Sequence, residues 1–375
     1  ARATRPISPI IGRSRSSSGA YRRPSSFGSA ADGSLAAIET VAVSSSAIVT
    51  VAVFAPGVVS TLTSASSVPV KVTMTVSLSS NRSLSITATS IIAVVSPAKT
   101  VTLLPTAMIQ SAGTGYDKVD TASAARCNIP VANSPGANIT TVAEFTIAMM
   151  IALQRRMAIA DREIKAGNYS PIREKLFTSG LKEISDLHLG LVGFGAIGRK
   201  VAQFAGLLGA RVSYFDVLRP DRAIEQQLQV IYKDLDDLLQ TSEAVSIHTP
   251  LTKQTHHLIG RRELRLMPTG SILINTARGE IIAPDALADA LEDEHLAGAA
   301  VDTLYPEPPT PDHPLLNLSK AARDRLLITP HIAGTTKSAF QRMLSQAIAN
   351  IAAVADGHPP KHVVNGVVKA RESNP

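Results

Sequence analysis

The sequence predicts an α/β fold in which helices cover both faces of a doubly wound parallel β-sheet. Three observations support this class. An apolar, strand-like run at 189–192 leads into a glycine-rich turn at 193–198 and a helix-like segment. Strand-like and helix-like segments then alternate as far as residue 302. An acidic residue, Asp216, ends the strand that follows the turn. Sheets of this kind bind ligands at the carboxyl ends of their strands.

The individual elements follow in chain order. Residues 108–117 are expected to form an apolar strand that enters a glycine-rich loop, and 129–133 a second short strand. Thr140 and Thr141 are candidate N-caps for a long apolar helix over 142–166. The remaining pattern predicts helices over 201–208, 235–239, 284–291 and 336–355, and strands over 212–216, 244–248, 271–275 and 299–302.

The glycine-rich turn has the pattern that a dinucleotide pyrophosphate needs. Gly193 permits the tight turn, Gly195 lets the backbone approach the phosphates, and Gly198 lets the helix pack on the strand. Ala196 and Ile197 lie between the last two glycines, where the amino end of the helix faces the negative charge. The turn therefore predicts a Rossmann-type cofactor loop.

The residue at the end of the next strand distinguishes between the two nicotinamide cofactors. Asp216 lies 18 residues beyond Gly198. A carboxylate there accepts hydrogen bonds from the adenosine ribose hydroxyls and repels a 2′-phosphate. We therefore expect NAD rather than NADP as the cofactor. Arg219 is close enough to weaken this preference without reversing it.

Composition and charge exclude several function classes. The chain has 375 residues, 45% of them hydrophobic, and a single cysteine, Cys127, which excludes an internal disulfide and fits a reducing compartment. Its net charge of +7 arises in residues 1–107, because the other 268 residues carry 28 basic and 28 acidic side chains. We expect no nucleic-acid partner, no metal site and no membrane span. The expected location is cytoplasmic.

Residues 1–107 do not match the rest of the chain. The first 30 residues are rich in Arg and Ser, as organelle transit peptides are, and apolar residues alternate strictly with polar ones over 70–78 and again at 84–88. Three interpretations remain open: a targeting segment followed by a divergent half-domain, an independent β-rich module, or a frame-shifted translation. In the first case an organelle replaces the cytoplasm as the location.

Four side chains that could carry chemistry follow predicted strands. They are Arg278, Asp302, Glu307 and His331. A guanidinium can pair with a substrate carboxylate and polarise the neighbouring carbonyl. An imidazolium can give a proton to the developing alkoxide while a carboxylate keeps its ring oriented. These residue types suit the reduction of a 2-oxo acid by a nicotinamide cofactor.

These motifs, taken together, resemble the D-isomer-specific 2-hydroxyacid dehydrogenase family over residues 108–366. The matching segments, in the family's order, are 193–198, 248–251, 275–279, 300–302, 306–308 and 330–334. The resemblance implies that Arg278 binds the substrate, that His331 is the acid/base and that Glu307 is its partner. It also implies that the backbone amides of Thr114 and Gly115 bind the substrate carboxylate. The cofactor contacts that it adds are Asp302 near the nicotinamide, His248 beside the adenosine, and Thr249, Pro250, Thr276, Ala277 and Gly334.

The same resemblance implies a two-domain enzyme, with the Rossmann-type sheet inserted into a second, smaller α/β substrate domain. The cofactor domain spans 138–334 and interrupts a substrate domain made of 108–137 and 335–375, while 1–107 stays atypical. The expected reaction interconverts a 2-oxo acid, such as glyoxylate, hydroxypyruvate or pyruvate, with a D-2-hydroxy acid, in a homodimer. Two alternatives remain: an NAD-sensing module without turnover, and an inactive product with a defective N-terminal half-domain.

Overall fold

The computed structural model describes residues 48–53, 72–77, 88–95, 101–111, 113–355 and 357–368. The predicted transit-like stretch at 1–30 and the alternating positions 84–87 lie outside the described residues. Positions 72–77 of the alternating stretch form a strand, which pairs with an earlier one in a two-stranded antiparallel sheet. These strands are β1 (Ile48–Val53) and β2 (Val72–Ser77). The three interpretations of 1–107 stay open.

A seven-stranded parallel sheet organises the larger part of the chain. Its strands are β6 (His188–Val192), β7 (Arg211–Phe215), β8 (Val230–Tyr232), β9 (Ala244–Ile247), β10 (Ser271–Asn275), β11 (Leu296–Val301) and β12 (Leu326–Ile328). Their order is β12-β11-β10-β9-β6-β7-β8. The strand order reverses at β6, whose neighbours are β7 and β9. The predicted doubly wound α/β fold is confirmed, and sheets of this kind bind ligands in a crevice at such a reversal.

Both faces of the sheet are buried by helices. The helices that follow β6 are α5 (Ala196–Leu207), α6 (Arg222–Leu228), α7 (Leu235–Thr241), α8 (Arg261–Leu266), α9 (Pro284–Glu292) and α10 (Lys320–Arg323). The three central residues of strand β10 are all apolar because both faces are covered: Ile272 and Ile274 pack into one cluster, whereas Leu273 packs into the cluster on the opposite face. A strand buried on both faces cannot alternate polar with apolar residues.

A three-stranded sheet precedes this one along the chain. It contains β3 (Ala88–Val95), β4 (Val101–Gln110) and β5 (Val131–Ala132), with α1 (Thr121–Arg126) between the last two. The C-terminal helix α11 (Lys337–Ala355) returns to this sheet, where Ile351 and Val354 pack against Met108 and Ala132. The division into a cofactor domain and a substrate domain, with its boundaries, stays a prediction.

One helix prediction was wrong. Instead of a single helix over 142–166, the chain forms α2 (Ile139–Gln154) and α3 (Met157–Lys165), followed by α4 (Tyr169–Thr178). The break falls at Arg156, whose φ of 53° is left-handed and cannot continue an α-helix. The N-cap position is Asn138, so Thr140 and Thr141 lie inside the first turn.

Candidate active site

The glycine turn between β6 and α5 has room for a ligand at one position only. A Cβ on Gly193, whose φ is +101°, would lie 2.6 Å from the carbonyl carbon of His248. A Cβ on Gly198 would lie 2.3 Å from the carbonyl oxygen of Gly193. Gly195, by contrast, faces open space, with no atom within 4 Å of a Cβ built there. Two of the glycines thus allow close packing, and Gly195 leaves room for a pyrophosphate.

The helix that follows this turn begins directly after Gly195, the position that leaves room for a ligand. Gly195 is the N-cap of α5, and Ala196 and Ile197 form its first turn. The free N–H groups of a helix's first turn and the positive end of its dipole favour an anion at this point. The backbone here therefore suits the dinucleotide that the spacing predicted.

Asp216 lies against the glycine turn at the end of β7. Its Oδ2 accepts a hydrogen bond from the backbone N–H of Phe194 at 2.6 Å, and its Oδ1 accepts one from that of Leu218 at 3.0 Å. Each carboxylate oxygen can accept a second hydrogen bond. The group is thus fixed in place and still able to accept hydrogen bonds from ribose hydroxyls.

His248 and Thr249 form the opposite side of the crevice, after β9. Desolvation lowers the pKa of His248 to about 3, so its ring is neutral at physiological pH, and its Nε2 lies 2.9 Å from Ser246 Oγ. Thr249 Oγ1 is buried and has no hydrogen-bond partner among the described residues. An orphaned hydroxyl beside the glycine turn fits a site that a polar ligand completes. Pro250 follows at the exposed edge.

His331 and Glu307 form a hydrogen-bonded pair. His331 Nδ1 lies 2.8 Å from Glu307 Oε1. Burial raises the pKa of Glu307, but its hydrogen bond to His331 and the charges of His331 and Lys118 lower it overall. The carboxylate is therefore ionised and accepts the Nδ1 proton. No hydrogen bond from Nε2 is recorded within the described part of the chain, so this nitrogen is available to a substrate.

Asp302 holds the segment that carries His331. Its side chain is only 1% exposed, and its two oxygens accept hydrogen bonds from the Thr329 hydroxyl and from the backbone N–H groups of Ile332 and Ala333. Its backbone carbonyl accepts one more from the N–H of His331 at 2.7 Å. We expected Asp302 beside the nicotinamide. The contacts that the structure shows are with the histidine segment.

Arg278 is oriented by a residue that the sequence analysis did not single out. Its Nε and Nη2 donate to Asp117 Oδ1 at 3.1 and 3.0 Å, and its Nη1 donates to the carbonyl of Ala277 at 2.9 Å. These bonds use three of its five N–H groups. A Cβ on Gly115 would lie 1.8 Å from Nη2. The guanidinium is thus packed directly against the glycine-rich loop after β4.

The loop after β4 also connects Arg278 with the pair formed by Glu307 and His331. Lys118 Nζ lies 3.4 Å from Glu307 Oε2, while the adjacent Asp117 pairs with Arg278. Arg278, Glu307 and His331 are therefore linked through two consecutive residues, although 53 positions separate the first from the last. The backbone N–H groups of Thr114 and Gly115 have no recorded acceptor among the described residues, so they are available to an anion beside the guanidinium.

Two further predicted cofactor residues connect this region to α2. Thr276 Oγ1 lies 2.9 Å from the hydroxyl of Thr146, and a Cβ on Gly334 would lie 2.8 Å from Asn138 Nδ2. The contact between the two hydroxyls holds the residue that follows β10 against α2, and the close approach of Asn138 leaves no room for a side chain at Gly334. Thr276 and Gly334 thus contribute to the packing around the crevice.

The described residues contain no group of three or more His, Cys, Asp or Glu side chains arranged to hold a metal ion. None of the helices in that part of the chain is long and apolar enough to cross a bilayer.

A glycine turn at the strand-order reversal, together with a linked Arg, Glu and His that follow other strands of the same sheet, is typical of nicotinamide-dependent dehydrogenases. Residues 147–333 match the family model described as the NAD binding domain of D-isomer specific 2-hydroxyacid dehydrogenases. A glyoxylate reductase from Aeropyrum pernix is 38% identical over 262 residues, which are 69% of this chain and 76% of the relative. The chain belongs to the D-isomer specific 2-hydroxyacid dehydrogenase family.

Solved structures agree with this membership. The D-mandelate dehydrogenase of Rhodotorula graminis in its apo form has a TM-score of 0.64 and 29% identity, covering 71% of this chain and 76% of its own. The D-lactate dehydrogenase of Aquifex aeolicus, complexed with NAD and lactic acid, has a TM-score of 0.60 and 30% identity over 67% of this chain and 76% of its own. The chain is thus an oxidoreductase of this family with a nicotinamide cofactor.

Proposed function

We propose that this enzyme interconverts a small 2-oxo acid and the corresponding D-2-hydroxy acid with NAD(H), and that glyoxylate and hydroxypyruvate are its preferred 2-oxo acids. The observation that carries the proposal is the contact chain from Arg278 through Asp117 and Lys118 to Glu307 and His331. The relative named glyoxylate reductase supports the choice of a small substrate.

Arg278 binds the substrate carboxylate in this proposal. Asp117 and the carbonyl of Ala277 occupy one part of its guanidinium, and two N–H groups remain for a carboxylate or carbonyl oxygen. The free backbone amides of Thr114 and Gly115 add donors on the same side. A planar substrate headgroup is thereby oriented before reaction, which lowers the entropic part of the barrier.

His331 transfers the proton. In the reductive direction its Nε2 donates to the carbonyl oxygen of the substrate, and Glu307 stabilises the charged imidazolium through Nδ1. In the oxidative direction the neutral ring accepts the hydroxyl proton. The bound nicotinamide supplies or removes the hydride.

We infer that NAD is the preferred cofactor. Asp216 places a carboxylate where a ribose 2′-phosphate would be repelled. Gly195, Thr249 and the first turn of α5 supply the space and the donors for the rest of the dinucleotide. Thr276, Ala277 and Asp302 remain the proposed neighbours of the nicotinamide.

The test follows NADH absorbance with glyoxylate, hydroxypyruvate and pyruvate as substrates. We expect turnover with the first two, and a loss of about 10²–10⁴-fold in kcat for His331→Ala and a comparable loss in kcat/KM for Arg278→Ala. Equilibrium binding of NADH to both variants is the control for folding. Tight NADH binding by the wild-type chain without turnover of any 2-oxo acid would establish the NAD-sensing alternative instead.

We also propose that the enzyme is a homodimer. Helix α3 has no buried residue, and α4 buries only Ile172. Four apolar side chains on these helices are exposed: Met157, Ile164, Tyr169 and Phe177. An apolar surface of this kind is typical of a subunit interface. Light scattering after size-exclusion chromatography should give twice the chain mass, and Phe177→Glu together with Tyr169→Glu should give the monomer.

A further inference from the structure

The loop after β7 contains a basic residue where NAD selectivity is decided. Arg219 follows Asp216 by three positions, and the hydrogen bond from Leu218 N–H to Asp216 Oδ1 folds this loop back onto the carboxylate. An arginine in this part of a Rossmann fold accommodates the 2′-phosphate of NADP. A free Arg219 would therefore oppose the effect of Asp216.

Arg219 is not free in the structure. Its Nε donates to Glu225 Oε1 at 2.7 Å, and its Nη2 donates to Glu225 Oε2 at 3.0 Å. Its guanidinium carbon also lies 5.0 Å from the centroid of the Tyr232 ring. A two-point ion pair combined with a cation–π contact fixes both the direction and the plane of the guanidinium.

Glu225, the partner of Arg219, is itself held in place. It is 9% exposed and accepts a hydrogen bond from the hydroxyl of Tyr214, a fully buried residue of β7. The Tyr214 ring stacks on Phe194 of the glycine turn with the centroids 3.9 Å apart. The hydrogen bonds from Arg219 and Tyr214 lower the pKa of Glu225 to about 2, so the carboxylate stays charged at physiological pH.

We propose that Glu225 and Tyr232 sequester Arg219 and thereby act as determinants of NAD selectivity. Asp216 repels the 2′-phosphate, and the sequestration of Arg219 removes the cation that would otherwise offset this repulsion. The inference rests on the proposed use of NAD. The proposed use of NAD depends on the carboxylate of Asp216. The present inference adds that selectivity also depends on the contacts of Glu225 and Tyr232 with Arg219, although Glu225 and Tyr232 do not bind the cofactor.

Glu225→Gln is the direct test. Glutamine keeps the shape of the side chain and can still accept the Tyr214 hydrogen bond, but it has no charge to hold Arg219. The dissociation constants of NADPH and NADH are measured by the change in nucleotide fluorescence on binding. We expect NADPH to bind about tenfold more tightly, the effect of one new charge-assisted hydrogen bond, with NADH changed less than about twofold.

Two further variants assign this gain to Arg219. Arg219→Gln alone should leave the NADPH-to-NADH ratio of dissociation constants at the wild-type value. Arg219→Gln combined with Glu225→Gln should return that ratio to the wild-type value. Tyr232→Leu, which keeps Glu225 and removes the ring beside the guanidinium, should shift the ratio in the same direction as Glu225→Gln, and it provides the test if Glu225→Gln does not fold.

The proposal is overturned by an unchanged ratio in folded Glu225→Gln, or in Tyr232→Leu where the first variant does not fold. Weaker NADPH binding by Arg219→Gln alone would also overturn it, because Arg219 would then already contact the phosphate. These measurements need no turnover. A chain that binds NADH but reduces no 2-oxo acid would contradict the proposed reaction and leave the inference standing, whereas a chain that binds neither nucleotide would contradict both.

Discussion

Arg278 donates two hydrogen bonds to Asp117, and this contact sets the orientation of the guanidinium. Burial raises the pKa of Asp117, but the charge and hydrogen bonds of Arg278 lower it overall, so the carboxylate is ionised at neutral pH. Both partners are mostly buried, with 26% and 20% of their side chains exposed. Removing one partner of a largely buried pair costs more free energy than removing one partner of an exposed pair, because the remaining charge is left without compensation. Asp117 is therefore a positioning residue for the substrate-binding arginine.

Asp117→Asn tests this role. We expect kcat/KM for glyoxylate to fall about tenfold, because the neutral amide orients the guanidinium more weakly, and we expect the NADH dissociation constant to stay the same. Asp289→Asn is the matched control, since Asp289 forms an exposed ion pair with Arg261 on the outer face of the sheet's helices. Equal kcat/KM values in both variants would show that Asp117 does not position Arg278.

The lowered pKa of Glu225 predicts how the free energy of unfolding depends on pH. Its pKa falls from 4.5 to about 2 on folding, so it stabilises the folded state above pH 4.5 and loses this effect as the pH falls toward 2. The free energy of unfolding of Glu225→Gln, measured in urea, should therefore fall less steeply between pH 5 and pH 2 than that of the wild-type enzyme. Parallel curves would contradict the lowered pKa.

At the scale of elements, the segment between β11 and β12 depends on a buried histidine. His313 is 4% exposed, and its Nδ1 accepts a hydrogen bond from the N–H of Leu315 at 3.2 Å. Desolvation lowers its pKa, so the ring is neutral and keeps this acceptor at physiological pH. This hydrogen bond fixes the segment that follows Glu307.

His313→Ala should lower the free energy of unfolding by about 1–3 kcal/mol, because it leaves a buried N–H without an acceptor. Urea denaturation at pH 7 measures the change. His358→Ala is the control, since His358 is exposed. If the free energy of unfolding of His313→Ala changes by less than about 0.5 kcal/mol, the ring does not stabilise this segment.

Elements with strong local signals were predictable, whereas those that depend on tertiary contacts were not. The glycine turn could be recognised because its spacing is dictated by the backbone of one strand and one helix. The break at Arg156 could not, because the apolar pattern of α2 and α3 continues across it. Strands β8 and β12 have three residues each, too few for a periodic pattern.

Within the candidate site, the residues in compact motifs were predicted, namely Arg278, Glu307 and His331. Asp117 was not singled out, although it ends the glycine-rich loop, because its importance depends on a partner 161 positions away. Glu225 was missed for a related reason. Its position in α6 shows nothing unusual in sequence, and only the fold brings it between Arg219 and Tyr214.

At the scale of the whole molecule, the two sheets are joined by the return of α11. Asn350 of this helix is 3% exposed and donates to Gln110 Oε1 at the end of β4, directly before the glycine-rich loop. It also exchanges hydrogen bonds with the backbone of Lys361. The C-terminal segment thus fixes the strand from which the substrate loop begins.

Asn350→Ala should therefore affect the substrate more than the cofactor. We expect KM for glyoxylate to rise about threefold to tenfold, in line with a loss of about 1 kcal/mol, while the NADH dissociation constant stays within experimental error. Gln346→Ala is the matched control, because the one side-chain hydrogen bond that Gln346 makes to another described residue, the carbonyl of Pro135, is 3.5 Å long. A rise in the NADH dissociation constant with no change in KM would contradict the view that this helix supports the substrate loop and not the cofactor site.

The neighbouring residues Asp117 and Lys118 bear opposite charges and contact opposite charges in the crevice, so withdrawal of their loop must separate both pairs in one movement. Dissolved salt screens the more exposed Lys118 pair first, because its lysine side chain is 61% accessible to water. Ionic strength should therefore favour the withdrawn loop, weaken substrate retention and accelerate product release. In an enzyme limited by that last step, moderate salt raises the maximal rate while it lowers the apparent affinity.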